Sequence, residues 1–274
     1  METLANHTLV YDKECPMCDL YTSGFIKSGM LDSNGRVAYG CAKVPASFSN
    51  DRARDEIALI DYNNGTVTYG LDSLVTIIGH SFPRLGRVLR WSVVHWPLSI
   101  LYSFISYNRK VIAPPKVFEK RGSCTPSYSI PYRIAYIFLT WILTSIILLH
   151  YTRIVVPIVP AGNFLREFLI CGGQIVFQLV IVRLMTHDKV LHYIGNMMTV
   201  SLIGALLLLP MLALDRIVNI PPVIALAWFT TVVTFMLSLH WKRVKMLGLS
   251  AWTTVGWVVY RLLVLCIIIL PGRL

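Results

Sequence analysis

Three stretches without a single Asp, Glu, Lys or Arg, residues 134–152, 190–214 and 217–241, constrain this chain more than any other feature. Each is close to or above the roughly 20 apolar residues that carry a helix across a bilayer, so the second half is expected to be a membrane bundle. Residues 168–182 form a shorter apolar run between Glu167 and Arg183, whose charged ends are expected to snorkel. Residues 246–272 form a fifth with Arg261 near the middle. An arginine at that depth either faces a polar cavity with a partner or ligand, or belongs to a helix too short to centre it in lipid. Only 14% of the chain is charged, against roughly 25% in an average soluble domain.

The acidic and turn residues collect before residue 75, so a small soluble domain is expected to precede the bundle. The net charge of +11 comes without the basic and aromatic stripe of a nucleic-acid module, which excludes that partner class. Arg109, Lys110, Lys116, Lys120, Arg121 and Arg133 sit before the first long apolar run and point to membrane lipid headgroups, or to ordinary positive-inside topology. With five spans, these six plus Arg183, Lys189, Lys242, Arg243 and Lys245 lie on one side, against Arg153, Arg166, Arg216 and Arg273 on the other. Residues 1–14 have no basic start followed by an apolar core. Both observations predict a cytoplasmic N-terminal domain and a multi-pass integral membrane protein.

Thr8-Leu9-Val10-Tyr11 reads as a strand, and Cys15-Pro16-Met17-Cys18 opens a helix whose apolar face is Met17, Leu20, Tyr21, Gly24 and Phe25, with Gly29 as its stop. Residues 36–44 and 56–61 read as further strands. Asn63-Asn64-Gly65 is a tight hairpin turn into Thr66-Val67-Thr68-Tyr69, and residues 71–78 read as a helix. The order is that of a compressed thioredoxin-like α/β domain. Residues 91–108, uncharged but interrupted by Pro97, read as a helix lying on the domain or membrane surface, with a true span as the alternative. Arg84, Arg87 and Arg90 on its approach would face headgroups. The expected organisation is residues 1–112 as the α/β domain, 113–133 as a basic linker and 134–274 as an all-α transmembrane bundle.

A cysteine pair in a reducing compartment is catalytic or metal-binding rather than structural. With Cys15 at the N-cap and Pro16 at the first helical position, the helix dipole favours a Cys15 thiolate, and Cys18 lies one turn on to resolve a mixed disulfide. Zinc is the competitor, but Cys41 and Cys124 stand alone and no second close pair completes four ligands. A buried structural pair is the other alternative. Asp12 either shuttles a proton to and from Cys18 or caps the turn. Cys41 is read as a core residue of the second strand, with a third redox thiol as the alternative.

Tyr11-Asp12-Lys13-Glu14-Cys15-Pro16-Met17-Cys18 closely resembles the signature of the DCC family of thiol-disulfide oxidoreductases, named for its Asp-x-x-Cys-x-x-Cys motif. Residues 60–73 are similar to that family's second block and residues 102–109 to its closing helix, so the resemblance covers residues 7 to 112. It implies a thioredoxin-like fold with Asp12, Cys15 and Cys18 as functional residues. Lys13 stands where the family usually has glycine, and no proline immediately precedes the strand at Glu56.

In the membrane half, His187, His192 and His240 are read as surface or hydrogen-bonded residues ahead of haem or metal ligands, because a spacing of five takes His187 and His192 off one helix face. A quinone pocket near Arg261 would pass electrons between lipid and dithiol, and Cys171 and Cys266 read as packing residues. The preferred reading is a membrane-anchored thiol-disulfide oxidoreductase, with no resident cofactor and a thiol or disulfide protein as partner. A redox-regulated transporter and a non-catalytic membrane interaction protein are the alternatives.

Overall fold

A computed structural model describes residues 2–41, 43–115, 127–186 and 189–269. Lys116, Lys120, Arg121, Cys124, His187 and Arg273 therefore lie outside the described residues. The chain divides into two units, Met1–Tyr132 and Arg133–Leu274.

The N-terminal unit runs β1 (His7–Tyr11), α1 (Pro16–Lys27), β2 (Arg36–Ala38), α2 (Asn50–Asp55), β3 (Ala58–Asp61), β4 (Thr66–Tyr69), α3 (Gly70–Ser81), α4 (Pro83–Arg90) and α5 (Ser92–Ile112). The four strands form one mixed sheet in the order β2-β1-β3-β4, with β1 parallel to β2 and antiparallel to β3, and β3 antiparallel to β4. Alternation along the strands gives each sheet face its own core. Leu9 and Leu59, opposite each other in the register, join Leu31, Ile57 and Ile77, against which Tyr21, Phe25 and Tyr102 pack. Val10, Ala58 and Ile60 belong to the other core, with Tyr69, Val37 and Phe48.

Helix α1 ends as its sequence predicts. Gly29 adopts φ +74°, and the Gly29 and Met30 N–H groups donate to the Ile26 and Phe25 carbonyls, which closes the last turn. The second strand is much shorter than its apolar pattern suggests: β2 stops at Ala38, and Cys41 is exposed in the following turn rather than buried in a core. Helix α2 falls where the sequence reading has no element, and it starts where the Ser49 hydroxyl accepts from Arg52 N–H.

Helix α5 is continuous for 21 residues despite Pro97. The proline lies early in the helix, so only one hydrogen bond is lost. Val93, Trp96, Ile100 and Leu101 on its first half are exposed, as are Leu85 and Val88 of α4. Its second half turns inward. Arg109 and Lys110 are 5% and 7% exposed, which overturns their assignment to a solvated, headgroup-facing segment. Residues 127–132 belong with this unit: Ser127 bonds through its N–H and hydroxyl to the Asp55 carboxylate, and Tyr132 stacks on Tyr107 with centroids 4.9 Å apart.

Among the described residues, five helices are long and apolar enough to cross a membrane: α6 (Ile130–Ile154), α7 (Phe164–Met185), α8 (Val190–Val218), α9 (Pro222–Met246) and α10 (Trp252–Ile269). The protein is read accordingly as an integral membrane protein. The span expected from residue 217 begins instead at Pro222, because Asn219 takes a left-handed conformation and the Asp215 carboxylate accepts from Ile220 N–H, ending α8. Small residues allow close helix approach: a Cβ on Gly204 would fall 2.1 Å from Met236 Sδ, and one on Gly172 would fall 2.3 Å from the Trp141 ring. Polar ties reinforce the packing, with Trp141 donating to the Phe168 carbonyl at 2.8 Å and Tyr151 to the Ala225 carbonyl at 2.7 Å.

Candidate thiol site

Cys15 is the N-cap of α1, in extended conformation, with Pro16 as the first helical residue. A proline there loses no helical hydrogen bond, since the first N–H groups of a helix have no intrahelical acceptor. The Cys15 sulfur takes the place of a capping oxygen and accepts from Cys18 N–H at 3.4 Å. Cys18 lies one turn on, and the Tyr21 hydroxyl interacts with its sulfur. Both cysteines are free thiols. The two sulfurs are equally enclosed, with Cys15 3% and Cys18 4% exposed, so Cys15 is less open than a nucleophile at a helix start is expected to be.

Asp12 uses its two oxygens differently. Oδ1 accepts from Glu14 N–H at 3.0 Å and caps the turn that leads into α1. Oδ2 has no hydrogen-bond partner and faces Arg109, 3.7 Å from its Nη2. Turn capping and proximity to the thiols are thus both met by one side chain. Arg109 is fixed by backbone: it donates to the carbonyls of Arg54 at 2.9 Å and Asp55 at 3.0 Å, and to Ser106 Oγ at 3.1 Å. It is the cation that pairs with Asp12, a role that sequence reasoning missed by assigning Arg109 to a juxtamembrane basic segment. Tyr102, on the same helix, accepts the Ile57 N–H at 3.1 Å and closes the floor beneath Tyr21.

These surroundings divide the two thiols. The Cys15 pKa is lowered to about 6, chiefly because the Cys18 thiol donates to its sulfur, with the Cys18 N–H and the Arg109 charge adding to the effect. The Cys18 pKa is raised, first because its proton is committed to Cys15 and next by burial. Burial also raises the Asp12 carboxyl pKa, and Arg109 partly offsets this. At neutral pH the arrangement holds a thiolate at Cys15, a thiol at Cys18 and, beside them, a carboxyl shifted toward the range in which it exchanges protons.

A pH profile follows. Site-resolved alkylation of the reduced protein with iodoacetamide is expected to show Cys15 titrating near pH 6 and Cys18 unreactive through neutral pH. A Cys15 profile with no midpoint near pH 6 would contradict the site. The linked stability has a defined sign. Between pH 6 and the unfolded thiol value the unfolded chain binds more protons, so the stability contributed by Cys15 grows with pH across that window and is lost as pH falls through 6.

Among the described residues no group of three or more His, Cys, Asp or Glu side chains could hold a metal ion. In the transmembrane unit His240 is 1% exposed, and both its ring nitrogens are engaged, Nε2 with the Tyr193 hydroxyl at 2.9 Å and Nδ1 with Thr254 Oγ1 at 3.2 Å. It is a hydrogen-bonded core histidine, stacked on Trp257 with centroids 5.1 Å apart. Cys266 is exposed on α10 and Cys171 is partly buried on α7. No protein-family model, curated protein or solved structure matches this chain.

Proposed function

We propose that the protein is a membrane-anchored thiol-disulfide oxidoreductase of the DCC type, in which Cys15 is the nucleophile, Cys18 the resolving thiol and Asp12 the proton acceptor for Cys18. The observation that carries this reading is the N-cap geometry: Cys15 Sγ accepts the Cys18 N–H beside a buried Asp12–Arg109 pair. The order β2-β1-β3-β4, with β1 and β2 parallel and the other two pairings antiparallel, supports a thioredoxin-like layout for this unit.

The cycle balances without a cofactor. The Cys15 thiolate attacks a disulfide of a partner protein, forming a mixed disulfide and expelling one partner thiolate. Asp12 then takes the Cys18 proton, and the Cys18 thiolate attacks Cys15 Sγ. The Cys15–Cys18 bond forms, the second partner thiolate leaves, and two electrons have passed from the dithiol to the partner. The reverse sequence oxidises a partner dithiol.

The positive-inside count places the N-terminal unit in the cytoplasm in this proposal. Arg84, Arg87 and Arg90, exposed beside Leu85, Val88, Trp91 and Trp96, give that unit a cationic and apolar face suited to anionic lipid.

Redox titration of the full-length protein, read by alkylation and mass spectrometry, tests the reading. A reversible Cys15–Cys18 disulfide with a potential between roughly −120 and −270 mV is expected, the span of thioredoxin-like oxidoreductases. A pair that never forms a disulfide, or that co-purifies with zinc, refutes it.

A further inference from the structure

The five transmembrane helices enclose a cavity of about 320 Å³. Its wall is mostly hydrocarbon, with Leu148 from α6, Leu208 from α8, and Phe229 and Val232 from α9. Such a volume is at the low end of the roughly 300–1,000 Å³ typical of small-molecule sites.

Three polar groups interrupt the wall without partners of their own. Arg261 from α10 lies with its guanidinium carbon 3.9 Å from the Trp257 ring centroid, and its buried Nε has no hydrogen-bond partner. Gln174 Nε2 from α7 and Thr144 Oγ1 from α6 are likewise buried without hydrogen-bond partners. Among the described residues no acidic side chain forms an ion pair with Arg261. The one carboxylate on the cavity wall, Glu167, is taken by Arg166 through bonds of 2.7 and 2.9 Å, so those two charges cancel. The cavity is left with one uncompensated cation, an amide NH₂ and a hydroxyl. A charge in a bundle interior calls for a counter-charge, and two donors on the same cavity wall as a guanidinium match an anionic oxygen head.

We infer that this cavity binds a long-chain carboxylate, with its head on Arg261 and its hydrocarbon along Leu208, Phe229 and Val232. The uncompensated charge is what favours a carboxylate over a neutral quinone, whose carbonyl oxygens would accept the same hydrogen bonds but leave the cation unbalanced. The site is independent of the thiol chemistry.

The test uses the full-length protein in phosphatidylcholine nanodiscs, with a diazirine-bearing palmitic acid as probe and mass spectrometry to locate the crosslink. Labelling of cavity-lining residues is expected, displaced by oleate at concentrations about tenfold or more below those needed for oleyl alcohol, as the loss of a charge-assisted hydrogen bond implies. Arg261→Gln should weaken labelling by a similar factor and Arg261→Lys should restore part of it. Should Arg261→Gln fail to fold, Leu208→Trp, which fills the hydrocarbon end with the charge intact, should abolish labelling. The inference is overturned if oleyl alcohol or decylubiquinone competes as well as oleate. It is overturned equally if labelling is undiminished in Arg261→Gln or persists in Leu208→Trp.

Discussion

Replacing Arg109 with methionine is expected to destabilise the N-terminal unit by about 3–5 kcal/mol, the cost of breaking a buried ion pair from one side. The side chain is 5% exposed, and its donors serve the Arg54 and Asp55 carbonyls at the end of α2, where the Ser106 hydroxyl also donates to the Asp55 carbonyl. Its removal leaves the enclosed Asp12 without its ion-pair partner and takes from Cys15 one of the groups that hold its thiolate. Hydrogen exchange of the β1 and α1 amides in the full-length protein measures the loss, since those elements carry the Asp12 turn. Adding Asp12→Asn should recover part of it, because the stranded charge is gone, and the alkylation midpoint of Cys15 should move upward in Arg109→Met. Additive single and double variants, with an unmoved midpoint, would show that Arg109 is a packing residue only.

The second large effect separates the two cysteines. Cys15→Ser is expected to reduce disulfide exchange to the uncatalysed rate, because no other thiol of the site is ionised at neutral pH. Cys18→Ser is expected to react once with oxidised glutathione and then stop, retaining glutathione on Cys15, because the resolving attack is missing. Intact-mass spectra after mixing distinguish the outcomes. A Cys18→Ser protein that turns over normally, or a Cys15→Ser protein that carries the adduct on Cys18, would reverse the proposed roles. Cys41→Ser serves as control, since its exposed thiol lies in a turn apart from the pair.

The membrane half was legible from composition alone. Charge-free runs have one stable form in lipid, a helix that satisfies its own backbone, so α6 to α10 differ from expectation mainly at their ends. The end of α8 depended on a side-chain bond from Asp215, which hydropathy does not register. In the first half, Pro16 and Gly29 marked both ends of α1 because each has a backbone geometry of its own. Arg109 was misread because juxtamembrane basic residues and buried ion-pair partners have the same composition. Only the fold, which swings the last turn of α5 onto the turn before α1, distinguishes them. Cys41 was misplaced for a similar reason: a β-prone run does not reveal that its sheet partner, β1, ends at Tyr11. The polar cavity was visible only as Arg261, since Gln174 and Thr144 come from helices far apart in sequence.

The Asp12–Arg109 pair also sets an order of events during synthesis. Its members come from the two ends of the N-terminal unit's sequence, so a ribosome releases the thiols long before it releases the cation that helps ionise one of them. Domains assemble as the chain emerges, and contacts of high sequence separation close last. A nascent chain ending before α5 therefore carries Cys15 without the arginine's share of its activation, and with no counter-ion for Asp12. Under the proposed function, the dithiol gains the arginine's share of its activation only when the last helix of its unit has docked.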